Sequence, residues 1–222
     1  MTTETIVKGE APVTLIGRVD LSASSNAPAL EIQLSLTNGQ IYRFGIDDAV
    51  AAQRFLGDIK PARLFADELI MVGGDSSTSI IPTSSIERID FIADELPTWP
   101  YLGGAKDVLE VSPAKFREAY DSKQYAESRL AAAKDPGSEQ IGYTEYWTAS
   151  GQQNYWQVRM MSTALTSMDF RPYIQKLMSS NGLHARTGNG GVCVLNPANL
   201  TRLTFHPGPS TIPPGAWAAR RL

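Results

Sequence analysis

Apolar and polar residues alternate most regularly where Leu30, Ile32, Leu34 and Leu36 are separated by Glu31, Gln33 and Ser35. A period of two belongs to a strand with one buried and one wet face. Asn38-Gly39 follows, the pair preferred in a type I′ turn because both central positions need positive φ. Ile41, Tyr42, Phe44 and Ile46 continue beyond it, so the pattern predicts a β-hairpin. Before the hairpin, Val13 to Leu21 is rich in β-branched and apolar residues and predicts a strand. After it, DDAVAAQRFLGDI predicts a short helix capped by Asp47 or Asp48, apolar at Val50, Phe55 and Leu56, and ended by Gly57. ELIMVGG predicts a strand, GGDSS a turn, and TSIIPTSSIERIDFI two short strands bent around Pro82. Proline has no amide donor and sits at corners or edges of sheets.

The same order then returns. IGYTEYWT and QQNYWQVRMM predict a second hairpin in which Gly151-Gln152 answers Gly39-Gln40, Trp156 answers Phe44 and Val158 answers Ile46. Asp169 to Met178 answers the short helix, with Asn181-Gly182 as its C-terminal stop. GLHARTG, the turn GNGG and the bent pair VCVLNPANLTRLTF complete the correspondence. Ile80, Ile81, Ile86, Arg88, Ile89 and Phe91 match Val194, Leu195, Leu200, Arg202, Leu203 and Phe205 without a gap, 114 positions apart. Turns, strands and helix recurring in one order at a nearly constant offset of 112 to 115 indicate internal duplication.

The expected fold is mainly β (α+β): two repeated, strongly bent antiparallel barrels of the SH3-like or Sm-like kind, over residues 11–94 and 139–207. The dozen residues of IIPTSSIERIDF also resemble the closing strands of SH3-like barrels. Residues 95–138 read as a linker. They comprise the Pro/Gly-rich PTWPYLGG and a helix expected from about Pro113 to Lys134, opened by Ser112-Pro113 and stopped by Asp135-Pro136-Gly137. Residues 208–222 form a proline-rich tail.

Composition narrows the function. Among 222 residues, 20 Lys and Arg face 23 Asp and Glu, a net charge of −3 that gives no bulk attraction for a phosphate backbone. The single cysteine, Cys193, allows no internal disulfide, which fits a reducing compartment. The first residues carry no basic segment followed by an apolar run, and no apolar stretch is long enough to span a bilayer. A cytoplasmic protein is expected, and peripheral docking on a membrane complex is compatible with the composition.

Signals for chemistry are sparse. His184 and His206 are the only histidines, and no HxxxH, CxxC or HxH spacing occurs, so neither a metal nor another cofactor is expected. Cys193 and His184 fall on neighbouring predicted strands. Cys193 nevertheless sits inside VCVL, where burial makes a thiol inert. GGDSSTS and TGNGG lack the Lys-Ser/Thr that opens a helix after a phosphate loop, and read as hairpin turns. No catalytic residues are assigned, and the chain is not expected to be an enzyme. Trp99 and Tyr101 in the linker, and Trp217 with Arg220 and Arg221 in the tail, are of the types enriched in interface anchors. They suggest a structural or adaptor subunit that binds other proteins of a larger assembly. The alternative is an RNA- or single-stranded-DNA-binding barrel using Arg43, Arg54, Arg63, Arg88, Arg159, Arg171, Arg186 and Arg202 with Tyr155 and Trp156.

Overall fold

The computed structural model describes residues 13–19, 27–74, 77–121, 127, 139–161, 171–206 and 217. The first half of the chain runs β1 (Val13–Val19), β2 (Leu30–Leu36), β3 (Ile41–Ile46), α1 (Ala49–Asp58), β4 (Leu69–Gly74), β5 (Thr78–Pro82) and β6 (Ile86–Ile92). The second runs β7 (Asp107–Val111), α2 (Pro113–Tyr120), β8 (Glu139–Thr148), β9 (Gln153–Met161), α3 (Arg171–Met178), β10 (Leu183–Arg186), β11 (Val192–Leu195) and β12 (Leu200–His206).

These strands make a nine-stranded mixed sheet, β12-β8-β9-β7-β10-β11-β6-β2-β3, and a three-stranded sheet, β1-β4-β5. Among the described residues no barrel closes, which corrects the expectation of two closed units. The reason is one pairing. β11 lies antiparallel to β6, with Val192, Cys193, Val194 and Leu195 opposite Phe91, Asp90, Ile89 and Arg88. The second half thereby spends a strand edge on the first instead of on itself.

The pairings inside the two halves coincide. Leu36, Ser35, Leu34 and Gln33 lie opposite Ile86, Arg88, Ile89 and Asp90, and Thr148, Trp147, Tyr146 and Glu145 lie opposite Leu200, Arg202, Leu203 and Thr204. From Leu36 to Thr148 is 112 positions and from Ile86 to Leu200 is 114, and each ladder skips one residue, Glu87 or Thr201, at the same place. The amide of Thr37 donates to Ser85 O as that of Ala149 donates to Asn199 O. A one-turn 3₁₀ segment precedes the last strand in both halves, Thr83–Ser85 and Pro197–Asn199. β1 packs beside β3 and pairs in parallel with β4, as β7 pairs with β9 and in parallel with β10.

Local chemistry explains the connections. The β2–β3 loop is not type I′: Gly39 has φ 82°, but among the described residues none other than glycine takes positive φ, Asn38 included. Leu36 N bonds to Gln40 O and Gly39 N to Leu36 O, giving a three-residue loop with glycine at the left-handed position. The β8–β9 loop repeats this with Gly151 at φ 87°, and TGNGG with Gly190 at φ 88°. Asp48 caps α1 by accepting from Ala51 N, and the helix passes Gly57 by one residue. Ala52 and Leu56, four apart, face the core, whereas Val50 lies outside. Ser112 caps α2. Of the helix expected over 113–134, the part beyond Asp121 lies outside the described residues except for Glu127. The expected linker also contains a strand, β7, whose Val108 is buried between β9 and β10.

Two large cores result, and a smaller one lies around Phe116 and Tyr143. The first gathers Leu30, Ile32, Leu34, Leu56, Ile89 and Phe91, and the second Tyr146, Trp156, Val158, Leu177 and Leu183. β11 belongs to both, because Val192 and Val194 enter the first and Cys193 and Leu195 the second. A strand buried on both faces needs an unbroken apolar run, and VCVL supplies it. Just past β11, Asn196 Nδ2 donates to Thr83 O and Ile86 O, and Asn199 Nδ2 to Ser84 O and Ile86 O. The two similar segments of the sequence thus bond to each other.

Asn196→Ala removes two buried hydrogen bonds across the seam, to Thr83 O and Ile86 O, and should cost about 1–3 kcal/mol. Urea unfolding monitored by tryptophan fluorescence measures it, and an unchanged midpoint would mean that these bonds do not hold the halves together.

Candidate functional site

A cleft of about 700 Å³ opens where the halves meet. Its floor is β6, and Gln33 and Ser35 of β2, Glu110 of β7, the Ser150 turn and the Thr187–Asn189 loop rise around it. A second cleft of about 420 Å³ shares Arg88, Glu110, Gln152 and Gly188 with the first and continues past Asn154 to Lys115.

Arg88 stands between them. Its Nε donates to Asp90, Nη2 to Asp90 and to Glu110 Oε2, and Nη1 to Glu110 Oε1 and Asn154 Oδ1. All five N–H groups of the guanidinium are thereby used. β6, β7 and β9 are tied through one side chain. Burial pushes the Asp90 carboxyl upward, while the Arg88 bonds and charge pull it back. Glu87, the residue skipped by the ladder, turns inward, is 1% exposed, and accepts from Ser150 N and, at 2.7 Å, from Ser150 Oγ. A carboxylate of the first half therefore caps a hairpin turn of the second.

Four other arginines of the expected set are also engaged, whereas Arg54 and Arg63 are exposed. Arg43 faces Glu31 at 3.6 Å, Arg159 faces Glu139 at 3.1 Å, Arg186 grips Asp107 at 2.8 Å, and Arg202 lies 3.6 Å from Glu145 and over the Trp147 ring. Tyr155, which lines the second cleft together with Arg88, stacks on Phe116, and Trp156 is buried in the second core. The Arg171 side chain lies outside the described residues.

Cys193 pairs with Ala185 and His184 with Val194 on adjacent strands, so the thiol and the imidazole point to opposite faces. Burial pushes the thiol well above its ordinary value. Among the described residues, no three His, Cys, Asp or Glu side chains are placed to hold a metal ion, and no helix is long and apolar enough to cross a membrane.

Trp99 and Tyr101 are brought together, against their own chain. Trp99 Nε1 donates to Ile59 O at 3.0 Å, and its ring packs on the first core. Tyr101 stacks on the His184 ring with centroids 4.7 Å apart, and Trp99 meets the same ring edge-on. Trp217 is 96% exposed, and Arg220 and Arg221 lie outside the described residues. Sequence reading missed Glu87, Glu110, Ser150 and Asn154. The only local signal was the charge-rich ERID, in which Glu87 reads as an ordinary solvated residue.

Compared with protein-family models, with curated proteins and with solved structures, the chain has no match.

Arg88→Met would leave the buried Asp90 and the part-buried Glu110 without their cation and should cost about 3–5 kcal/mol in urea unfolding. A loss under about 1 kcal/mol would place the cluster in surface-like screening instead. A second outcome concerns pH. Burial lowers the affinity of His184 for a proton, and the hydrogen bond to Trp99 O offsets only part of this. The unfolded chain therefore protonates first. The stability from neutral His184 is present above the ordinary value of 6.5 and is lost as pH falls toward the folded value. The stability gap between wild type and His184→Gln should shrink from about pH 7.5 to about pH 5. A constant gap would show that the imidazole does not titrate differently on folding.

Proposed function

We propose that this protein is a non-enzymatic structural or adaptor subunit of a larger assembly, built from two copies of one small β-unit fused through their edges. The duplication is supported by the coincident registers, the matching skipped residue and the matching loops of the two halves. The adaptor reading is carried by apolar side chains displayed on strands: Ile41 and Tyr42 on β3 and Ile80 on β5 are 55%, 45% and 59% exposed. Sheet margins facing only water normally carry charges, prolines or bulges, so apolar side chains exposed on margin strands favour a partner there. Trp217 in the tail adds a further apolar group open to a partner.

Nucleic-acid binding is the weaker reading. Arg43, Arg88, Arg159, Arg186 and Arg202 each face a carboxylate, and Arg88 has no donor left for a phosphate. In the clefts, Glu87, Asp90 and Glu110 present more negative than positive charge.

Affinity capture from the native source separates the readings. The double variant Ile41→Lys/Tyr42→Lys and a chain lacking residues 208–222 should each recover less partner than wild type, with an unchanged unfolding midpoint. Equal recovery by all three, or no partner at all, would remove the support. A labelled single-stranded RNA of about 20 nucleotides should show no saturable binding below about 10 μM at near-physiological salt. Micromolar or tighter binding that falls steeply with salt would reverse the order of the two readings.

A further inference from the structure

We propose that copies of this chain associate head to tail, β5 of one copy pairing antiparallel with β12 of the next. The inference rests on the equivalence of the two halves proposed above, and names the partner as a second copy.

The template is inside the chain. β11 pairs with β10 on one side and with β6 of the other half on its second side. β5 holds the place of β11 in the first half: it pairs antiparallel with β4, and a 3₁₀ turn and the closing strand follow it. β12 holds the place of β6, paired with β8 as β6 is with β2. The described residues therefore contain two edges, β5 and β12, whose equivalents are joined to each other and which are not themselves joined.

Burial records the same asymmetry. Val194 on β11 is fully buried, and its counterpart Ile80 on β5 is 59% exposed. Ile89 on β6 is fully buried, and its counterpart Leu203 on β12 is half-buried. The Arg202 side chain stands 41% exposed where that of Arg88 is 11% exposed. An isoleucine on an exposed strand edge is unexplained within one copy, but it is what an inter-copy seam requires.

Carrying the internal register over by the same 114 positions puts Ile80 opposite Leu203, Ile81 opposite Arg202 and Ser79 opposite Thr204. One element differs. Asn196 N donates to Glu87 O in the internal seam, and Pro82 stands at the corresponding place with no donor. The seam between copies is one hydrogen bond shorter and lacks the Asn196 amide contacts, so it forms and dissolves with concentration. The contact is heterologous, using different edges on the two copies, and such contacts grow into closed rings or open filaments according to the rotation they impose.

Sedimentation velocity and native mass spectrometry of the full chain over a range of concentrations test this directly. Wild type should show species larger than a monomer whose share rises with concentration. Ile80→Glu, at an exposed position, should be monomeric with an unchanged circular dichroism spectrum. Cysteine variants then report the register: an oxidised mixture of Ile80→Cys and Leu203→Cys chains should give a cross-linked heterodimer, and either variant alone should give none. A wild type that stays monomeric at the highest attainable concentration, an Ile80→Glu chain that still associates, or a mixture without the 80–203 cross-link would each overturn the proposal. A monomeric wild type that still captures a different protein would do so while leaving the adaptor reading standing.

Discussion

The architecture depends on β11 lying against β6. With that ladder in place, a strand of the second half fills the core of the first through Val192 and Val194 and the core of its own half through Cys193 and Leu195. A strand serving two cores cannot expose either face without opening both, so the halves share their stability. The polar groups along the same line follow from it. Once β6 is central and buried, Glu87 and Arg88 need partners, because a buried charge without them is costly. Ser150, Glu110 and Asn154 of the second half supply them. Asn196 and Asn199 close the end of the seam by satisfying carbonyls of the Thr83–Ile86 segment.

This explains why the charges in the cleft between the halves are already paired. Arg88 would attract phosphate if it were free, but its guanidinium is saturated by two carboxylates and an amide. A thiol in VCVL would be a nucleophile if it could ionise, but burial holds the proton on it. The charged groups hold the two halves in register, and among the described residues exposed apolar side chains remain on the strand edges and at Trp217.

Much of the secondary structure was legible because local rules govern it. The alternation of Leu30 to Leu36, the glycines at 39, 151 and 190, and the bend at Pro82 each announce an element without help from the rest of the chain. Closure was not legible. Alternation tells which face of a strand is buried but not which edge is bonded, so VCVL reads equally well as the wall of a barrel or as a bridge between two cores. β7 escaped notice because five residues between a Gly-Gly turn and a Ser-Pro helix start give too little period to see. Glu87 looked like a solvated residue because one skipped position in the ladder reverses the direction of its side chain. Trp99 was conspicuous as an aromatic in a proline-rich stretch. That the Ile59 carbonyl and the His184 ring lie within reach of it is a tertiary fact.

The central claim is that the β11–β6 seam is as firm as the interior of either half. Native-state hydrogen exchange measured by mass spectrometry addresses it most directly. Peptides covering residues 86–92 and 192–195 should exchange only through global unfolding, with the same free energy as β2 and β8. Seam peptides that exchange through a lower-energy opening, while β2 and β8 stay protected, would show two halves that separate intact, and would contradict the account.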